Sequence, residues 1–80
     1  MDKLIIAFVF INVRRGGEDK VEELKKLPGV KDVASVYGEY DAIMKVEKSN
    51  MEDLQKFLVE KIRPLTWVDK TSTMITVQNK

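Results

Sequence analysis

The sequence of 80 residues contains no cysteine and no histidine. The absence of cysteine excludes disulfides, thiolate zinc sites and cysteine nucleophiles, and the absence of histidine removes the commonest general base and metal ligand. An excess of either charge is also lacking, since 14 Lys and Arg balance 13 Asp and Glu. A nearly neutral chain lacks the basic footprint of a nucleic-acid-binding surface. We therefore expect no metal, no cofactor and no direct nucleic-acid partner.

Long hydrophobic runs are scarce. The longest, Leu4 to Ile11, has eight residues, whereas a membrane-spanning helix needs about 20. Arg14 and Arg15 follow this run in place of the small residues of a signal-peptide cleavage site. The run is therefore predicted to be a buried strand, and we expect a cytoplasmic protein with no membrane partner.

The first third of the chain predicts a strand and then a short helix. Residues 3–13 are apolar on both alternating faces, which is typical of a strand covered on both sides. From Glu18 the period changes, and Pro28-Gly29 ends the second segment. Its apolar residues recur every three positions among charged ones, as expected of an amphipathic helix. They are Val21, Leu24 and Leu27.

The rest of the chain predicts a hairpin, a second helix and a last strand. Residues 30–37 and 40–47 flank a tight turn at Gly38-Glu39. Ser49-x-x-Glu52 matches a capping box that opens the second helix, and Pro64 ends it. Residues 68–77 form the last strand. The apolar stripe predicted for the second helix is Met51, Leu54, Phe57, Leu58 and Ile62.

This βαββαβ order predicts an α+β fold, the ferredoxin-like plait. Two right-handed crossovers produce a four-stranded antiparallel sheet with both helices on one face. A faint internal repeat supports two equivalent halves, because Leu27-Pro28-Gly29-Val30 follows the first helix as Leu65-Thr66-Trp67-Val68 follows the second. No linker or composition shift divides the chain, so residues 1–80 are predicted to form a single domain.

The first strand predicts an oligomer. One of its faces carries Leu4, Ile6, Phe8 and Phe10, and the other carries Ile5, Val9 and Ile11. Helices cover only one face of such a sheet, so a monomer would expose one apolar row. Sheet-to-sheet dimerisation would bury that row. The alternative is that a C-terminal tail or irregular packing covers it.

Two polar segments stand out as candidate sites. Tyr37-Gly38-Glu39-Tyr40-Asp41 places two tyrosines and two acids around a glycine. Asp41 begins a strand that is otherwise buried, so its carboxylate needs either backbone N–H donors of the turn or a ligand ammonium. Thr71-Ser72-Thr73 in the last strand is equally well explained by strand propensity or by a binding role.

The motif Gly38-Glu39-Tyr40-Asp41, together with the segment Val68 to Ile75, resembles the effector-binding (RAM) domain of the Lrp/AsnC, or feast/famine, transcription regulators. The resemblance covers about residues 3–78. It implies a RAM domain without a helix-turn-helix, a dimeric α/β barrel-type assembly, and rings of such dimers, typically octamers or decamers. It also implies an amino acid effector bound between dimers, and possible partners among full-length Lrp/AsnC regulators.

The resemblance also implies the site residues. The ligand-binding set is Gly38, Glu39, Tyr40 and Asp41, joined by Thr71 and Thr73 from a neighbouring subunit. The amides of the turn would hold the α-carboxylate, and Asp41 with a threonine hydroxyl would hold the α-ammonium. The sequence departs from the family pattern at Trp67, where glycine is usual, and at Tyr37, where a small residue is common.

Three functions are compatible with these features. The first is an amino-acid-binding regulatory module that oligomerises and modulates regulators of its family. The second is an oligomeric assembly protein without a ligand. The third is a small enzyme on a dimeric plait, which the absence of histidine and cysteine disfavours. We expect no catalytic residues and no enzyme activity.

Overall fold

The computed structural model describes residues 4–76. The sheet has the strand order β2-β3-β1-β4, with every neighbouring pair antiparallel. This order and the two helical segments confirm the ferredoxin-like plait. The elements are β1 Ile5–Val13, a 3-10 helix Glu18–Lys26, β2 Val30–Ser35, β3 Ala42–Lys48, α1 Met51–Phe57, a π turn Leu58–Ile62 and β4 Val68–Ile75.

The core lies between one face of the sheet and the two helical segments. Alternate residues of the central strands β1 and β3 point into it, and those at its centre are fully buried. Both helical segments contribute buried side chains to the same cluster, so both cover the same face, as predicted. The principal core residues are Ala7, Val9, Ile11, Val21, Leu24, Ala42, Met44, Val46, Leu54, Phe57 and Ile62.

The first helix is a 3-10 helix. It has three residues per turn, which matches the three-residue spacing of its apolar side chains better than an α-helix would. Val21 and Leu24 are buried, and Leu27 packs against the core just beyond the helix. The acids in the first turn and the lysines in the last turn interact favourably with the helix dipole.

The second helix differs from its prediction at both ends. Asn50 is its N-cap, with Oδ1 accepting the Asp53 N–H at 2.8 Å, so the predicted cap at Ser49 is wrong by one residue. The segment after Phe57 is a π turn, in which the Arg63 N–H donates to the Leu58 carbonyl at 3.0 Å. A π turn brings residues five apart onto one face, so Ile62 joins Phe57 in the core. Met51, predicted for the apolar stripe, is 39% exposed.

The hairpin loop is longer than the predicted tight turn. β2 ends at Ser35 and β3 begins at Ala42. The sequence predicted that the first of these strands ends at residue 37 and that the second begins at residue 40. A hydrogen bond from the Val36 N–H to the Asp41 carbonyl, 2.9 Å long, closes the loop. The predicted outer limits of the first and last strands, residues 3 and 77, lie outside the described residues.

The internal repeat is real at the level of hydrogen bonds. Leu27 and Leu65 occupy equivalent positions after the two helical segments, and Gly29 corresponds to Trp67. Gly29 has a φ of +87°, whereas Trp67 has none of this left-handed character, which explains how tryptophan can stand there. The matching bonds are Leu27 N–H to Leu24 O and Leu65 N–H to Ile62 O at 3.1 Å, and Val30 N–H to Leu27 O and Val68 N–H to Leu65 O at 3.2 Å.

The sheet face opposite the helices carries an apolar row along β1, with Lys45 of β3 beside Phe8 and Glu47 beside Ile6. Phe8 lies level with Met74 of β4, and Phe10 lies level with Ile43 of β3. Ile6, Phe8 and Phe10 are half-buried, and Met74 is 62% exposed. Of the two apolar rows of β1, the one containing Val9 and Ile11 is therefore covered by the helices. Within residues 4–76 no helix covers the other row, which leaves the predicted dimer surface open.

Candidate ligand-binding site

Asp41 ties the hairpin loop to the central strand. Its backbone N–H donates to the Ile11 carbonyl at 2.9 Å, and its Oδ2 accepts the Val13 N–H at 2.7 Å. The sequence predicted turn amides or a ligand ammonium as partners of this carboxylate. In the structure the donor is instead the N–H of Val13 in β1, 28 residues away. A carboxylate can accept about four hydrogen bonds. Asp41 is exposed, so its remaining acceptor positions are accessible to a ligand.

Asp41 lines a cleft of about 370 Å³ between the end of β1, the 3-10 helix and the hairpin loop. Ligand pockets begin at about this size. Glu18 also lines it, and its Oε1 accepts the Gly16 N–H at 3.1 Å. The lining has two carboxylates and no cationic side chain, which suits an ammonium group. The lining residues are Val13, Glu18, Val21, Ser35, Val36, Tyr37 and Asp41.

The other predicted residues of the motif do not line this cleft. Gly38 has a φ of +128°, and a Cβ added there would meet nothing within 4 Å. Glu39 is exposed in the same loop. The Tyr40 ring lies 5.4 Å from the Phe10 ring, centroid to centroid, so Tyr40 joins the open apolar face. Within one chain, Asp41 alone of the four predicted motif residues belongs to the cleft.

Thr71 and Thr73 lie in a second cleft, of about 330 Å³. They belong to the edge strand β4, where they pair with Ile11 and Val9 of β1. Thr71, Ile11 and Ala42 lie level across three strands, so Thr71 and Ala42 are two strand spacings apart, about 10 Å. The other residues of this second cleft are Gln55, Leu58, Val59, Ile62 and Arg63.

One chain therefore does not bring the predicted residues together. Strand β1 lies between the threonines of β4 and Asp41, and the two clefts share no lining residue. Sequence reasoning missed Glu18 in the first cleft and Arg63 in the second. The signal for Arg63 was its place directly after Ile62, the last apolar residue of the helix stripe.

The family model described as the Lrp/AsnC ligand binding domain matches residues 6–80. The chain belongs to the Lrp/AsnC family. The matched part is the ligand-binding domain of a family of transcription regulators, which confirms the resemblance seen in the Gly38 to Asp41 motif. Across residues 4–76 no helix is both long and apolar enough to cross a membrane.

The proteins similar to this chain include transcription regulators. The HTH-type transcriptional regulator FL11 of Pyrococcus furiosus is 33% identical over 75 residues, which cover 92% of this chain and 49% of FL11. The crystal structure of the hypothetical protein PHS023 from Pyrococcus horikoshii is 41% identical, with a TM-score of 0.87, over 94% of this chain and 92% of that one. The chain spans 37% to 49% of the length of the curated relatives it matches.

A more distant structure shows the same fold. The transcriptional regulator NMB0573 from Neisseria meningitidis, solved as a complex with L-Met, superposes with a TM-score of 0.83 at 16% identity. The superposition covers 92% of this chain and 50% of the regulator.

Proposed function

We propose that residues 1–80 form one amino-acid-binding regulatory domain, which binds its effector between subunits. The observation that carries this proposal is the Asp41 carboxylate, which the Val13 N–H fixes at the edge of a cleft without a competing cation. An α-ammonium supplies the charge and the donors that such a carboxylate lacks. The complex of NMB0573 with L-Met supports an amino acid as the ligand class.

The assembly follows from the open face of the sheet. Phe8, Phe10 and Ile43 form an apolar surface that a second copy can cover face to face. Dimers formed in this way assemble into a ring of eight or ten subunits. The separation of Asp41 from Thr71 and Thr73 within one chain supports a site that draws on two subunits.

The regulatory mechanism is a ligand-biased equilibrium between assemblies. A ligand shifts such an equilibrium only when its affinity differs between the two states, and a site shared by subunits meets that condition because it exists only in the assembled form. Full-length Lrp/AsnC regulators are the expected partners, in the cytoplasm. The curated relatives are transcription regulators, which favours regulation over catalysis for this chain as well.

A second candidate is an assembly protein that needs no ligand. The bond from the Val13 N–H to Asp41 favours it, because that bond gives the carboxylate a structural role on its own. The two candidates differ in one respect, which is whether any amino acid stabilises the protein.

A thermal-shift panel of the twenty amino acids, with light scattering on the active ones, separates these candidates. A ligand at about 100 times its Kd adds about 2.7 kcal/mol to the free energy of unfolding. For a domain of this size, that raises the Tm by about 10–20 °C. Asp41→Asn is the informative variant, since the amide oxygen can still accept the Val13 N–H while the charge is lost. The shift should disappear in Asp41→Asn, and the oligomer should persist.

Asp19→Asn is the matched control, because Asp19 is an exposed acid of the 3-10 helix that lines neither cleft. It should keep the full thermal shift. Stabilisation that survives in Asp41→Asn would make Asp41 a structural residue. If none of the twenty amino acids stabilises the wild-type protein, the assembly protein without a ligand is the correct description.

A further inference from the structure

The two clefts are electrically complementary. The cleft of Asp41 is lined by two carboxylates and no cation, and the cleft of Thr71 and Thr73 is lined by a guanidinium and no acid. The ammonium and the carboxylate of an amino acid zwitterion are attached to the same carbon, so neither cleft alone pairs with both charges. This complementarity bears on which amino acid binds, and what is inferred from it rests on the proposed function.

Arg63 is the cation of the second cleft. The π turn places it there, because its N–H bonds to the Leu58 carbonyl and turns the chain back toward β4. Among residues 4–76 its guanidinium forms no ion pair, whereas Arg14 pairs with Asp69 at 3.7 Å. A guanidinium presents donors in a fork that matches a carboxylate. The hydroxyls of Thr71 and Thr73 add further donors in the same cleft.

The rest of this cleft is aliphatic. Ile62 is buried at its base, Leu58 is half-buried, and Val59 is 53% exposed. Val59 is a large apolar side chain without a covering neighbour among the described residues, and it stands one turn from the arginine. A ligand whose carboxylate binds Arg63 would lay a short branched side chain over Leu58 and Val59. A charged side chain would meet no partner there, because Gln55 is the remaining polar residue of the lining.

We infer that Arg63, Thr71 and Thr73 bind the α-carboxylate of an aliphatic amino acid, and that Leu58 and Val59 contact its side chain. Asp41 of a second copy of this chain holds the α-ammonium, since β1 separates the Asp41 of the same chain from the threonines of β4. The second cleft therefore sets the specificity, and the first supplies the charge that distinguishes an amino acid from the corresponding 2-oxo acid.

Isothermal titration calorimetry of the assembled full chain tests each contact. The probes are L-leucine, L-alanine, L-aspartate and 4-methyl-2-oxopentanoate, which has the side chain of leucine without its ammonium. Wild type should bind leucine more tightly than alanine or aspartate. Arg63→Gln should lower the affinity for leucine and for the 2-oxo acid alike, by about 10- to 100-fold, as expected for the loss of hydrogen bonds to a charged group. Asp41→Asn should lower the affinity for leucine and leave the affinity for the 2-oxo acid unchanged.

Arg15→Gln is the control for loss of a positive charge, because Arg15 is exposed in a turn and lines neither cleft. It should bind all four probes as wild type does. Circular dichroism should show that Arg63→Gln keeps the fold and the Tm of the free protein.

The outcomes separate this inference from the proposed function. If Asp41→Asn weakens the amino acid but Arg63→Gln behaves like Arg15→Gln, the amino acid site stands and the role of Arg63 is refuted. Preference for aspartate over leucine would equally refute the aliphatic cleft while leaving an amino acid site. If none of the twenty amino acids stabilises the wild type in the thermal-shift panel, the proposed function is overturned and this inference with it.

Discussion

Gly17 should be the least replaceable position in the turn before the 3-10 helix. It is buried, and a Cβ added there would lie 2.7 Å from the Trp67 Cβ and 3.0 Å from the Val13 Cγ1. Carbon atoms in contact prefer about 3.5–4.0 Å, so one segment has to move by about 1 Å. The hydrogen bond from the Arg14 N–H to the Trp67 carbonyl, 2.8 Å long, resists that movement.

Gly17→Ala should therefore lower the free energy of unfolding by about 2 kcal/mol, within the range known for overpacked sites. For a domain of this size that corresponds to a fall in Tm of about 8–16 °C. Gly38→Ala is the matched control. Its φ of +128° disfavours alanine, yet the added Cβ would meet nothing within 4 Å, so only backbone strain of about 1 kcal/mol is expected in this exposed loop.

Thermal and urea unfolding, followed by circular dichroism at one protein concentration, measures both variants, because association makes the Tm depend on concentration. A Trp67→Leu background sharpens the test. Leucine keeps the Cβ, so the effect of Gly17→Ala should persist there. The close approach is not the cause if Gly17→Ala destabilises no more than Gly38→Ala, or if Trp67→Leu removes its effect.

Two further substitutions test the cap and the open sheet face. Asn50→Ala should lower the free energy of unfolding by about 1 kcal/mol through loss of the N-cap, whereas Ser49→Ala should change it by less than about 0.5 kcal/mol; equal effects in urea unfolding would contradict the assigned cap. Phe8→Asp should reduce the mass measured by light scattering to that of a monomer, because it buries a charge between sheets, while Lys20→Glu on the 3-10 helix should leave the mass unchanged. An intact oligomer in Phe8→Asp would exclude the open face as the interface.

The fold was predictable because its main signals are local. The two apolar rows of β1, the turn residues and the Gly38 to Asp41 motif each lie within a few residues of one another, and together they set the order of elements. The three-residue spacing from Val21 to Leu27 even carried the period of a 3-10 helix, although it was interpreted only as a short amphipathic helix. The π turn had no such signal, because Leu58 and Ile62 are four residues apart, as in an ordinary α-helix.

The errors arose where neighbours compete or where the partner is distant. Ser49 and Asn50 are both good N-caps, so sequence alone cannot set the start of the helix to one residue. The partner of Asp41 is the N–H of Val13, and no spacing rule links them. Arg63 shares a cleft with Thr71 only because the helix packs beside an edge strand. Contacts of this kind depend on tertiary packing, which local patterns do not encode.

The position of β1 in the sheet has a consequence for how the protein is made. Its neighbours are β3, which starts at Ala42, and β4, which starts at Val68. At a synthesis rate of about 5–20 residues per second, β3 follows the end of β1 by about 1–6 s. During that interval the most apolar segment of the nascent chain has no strand to pair with. The element that holds the sheet together is therefore also the one most in need of protection on the ribosome.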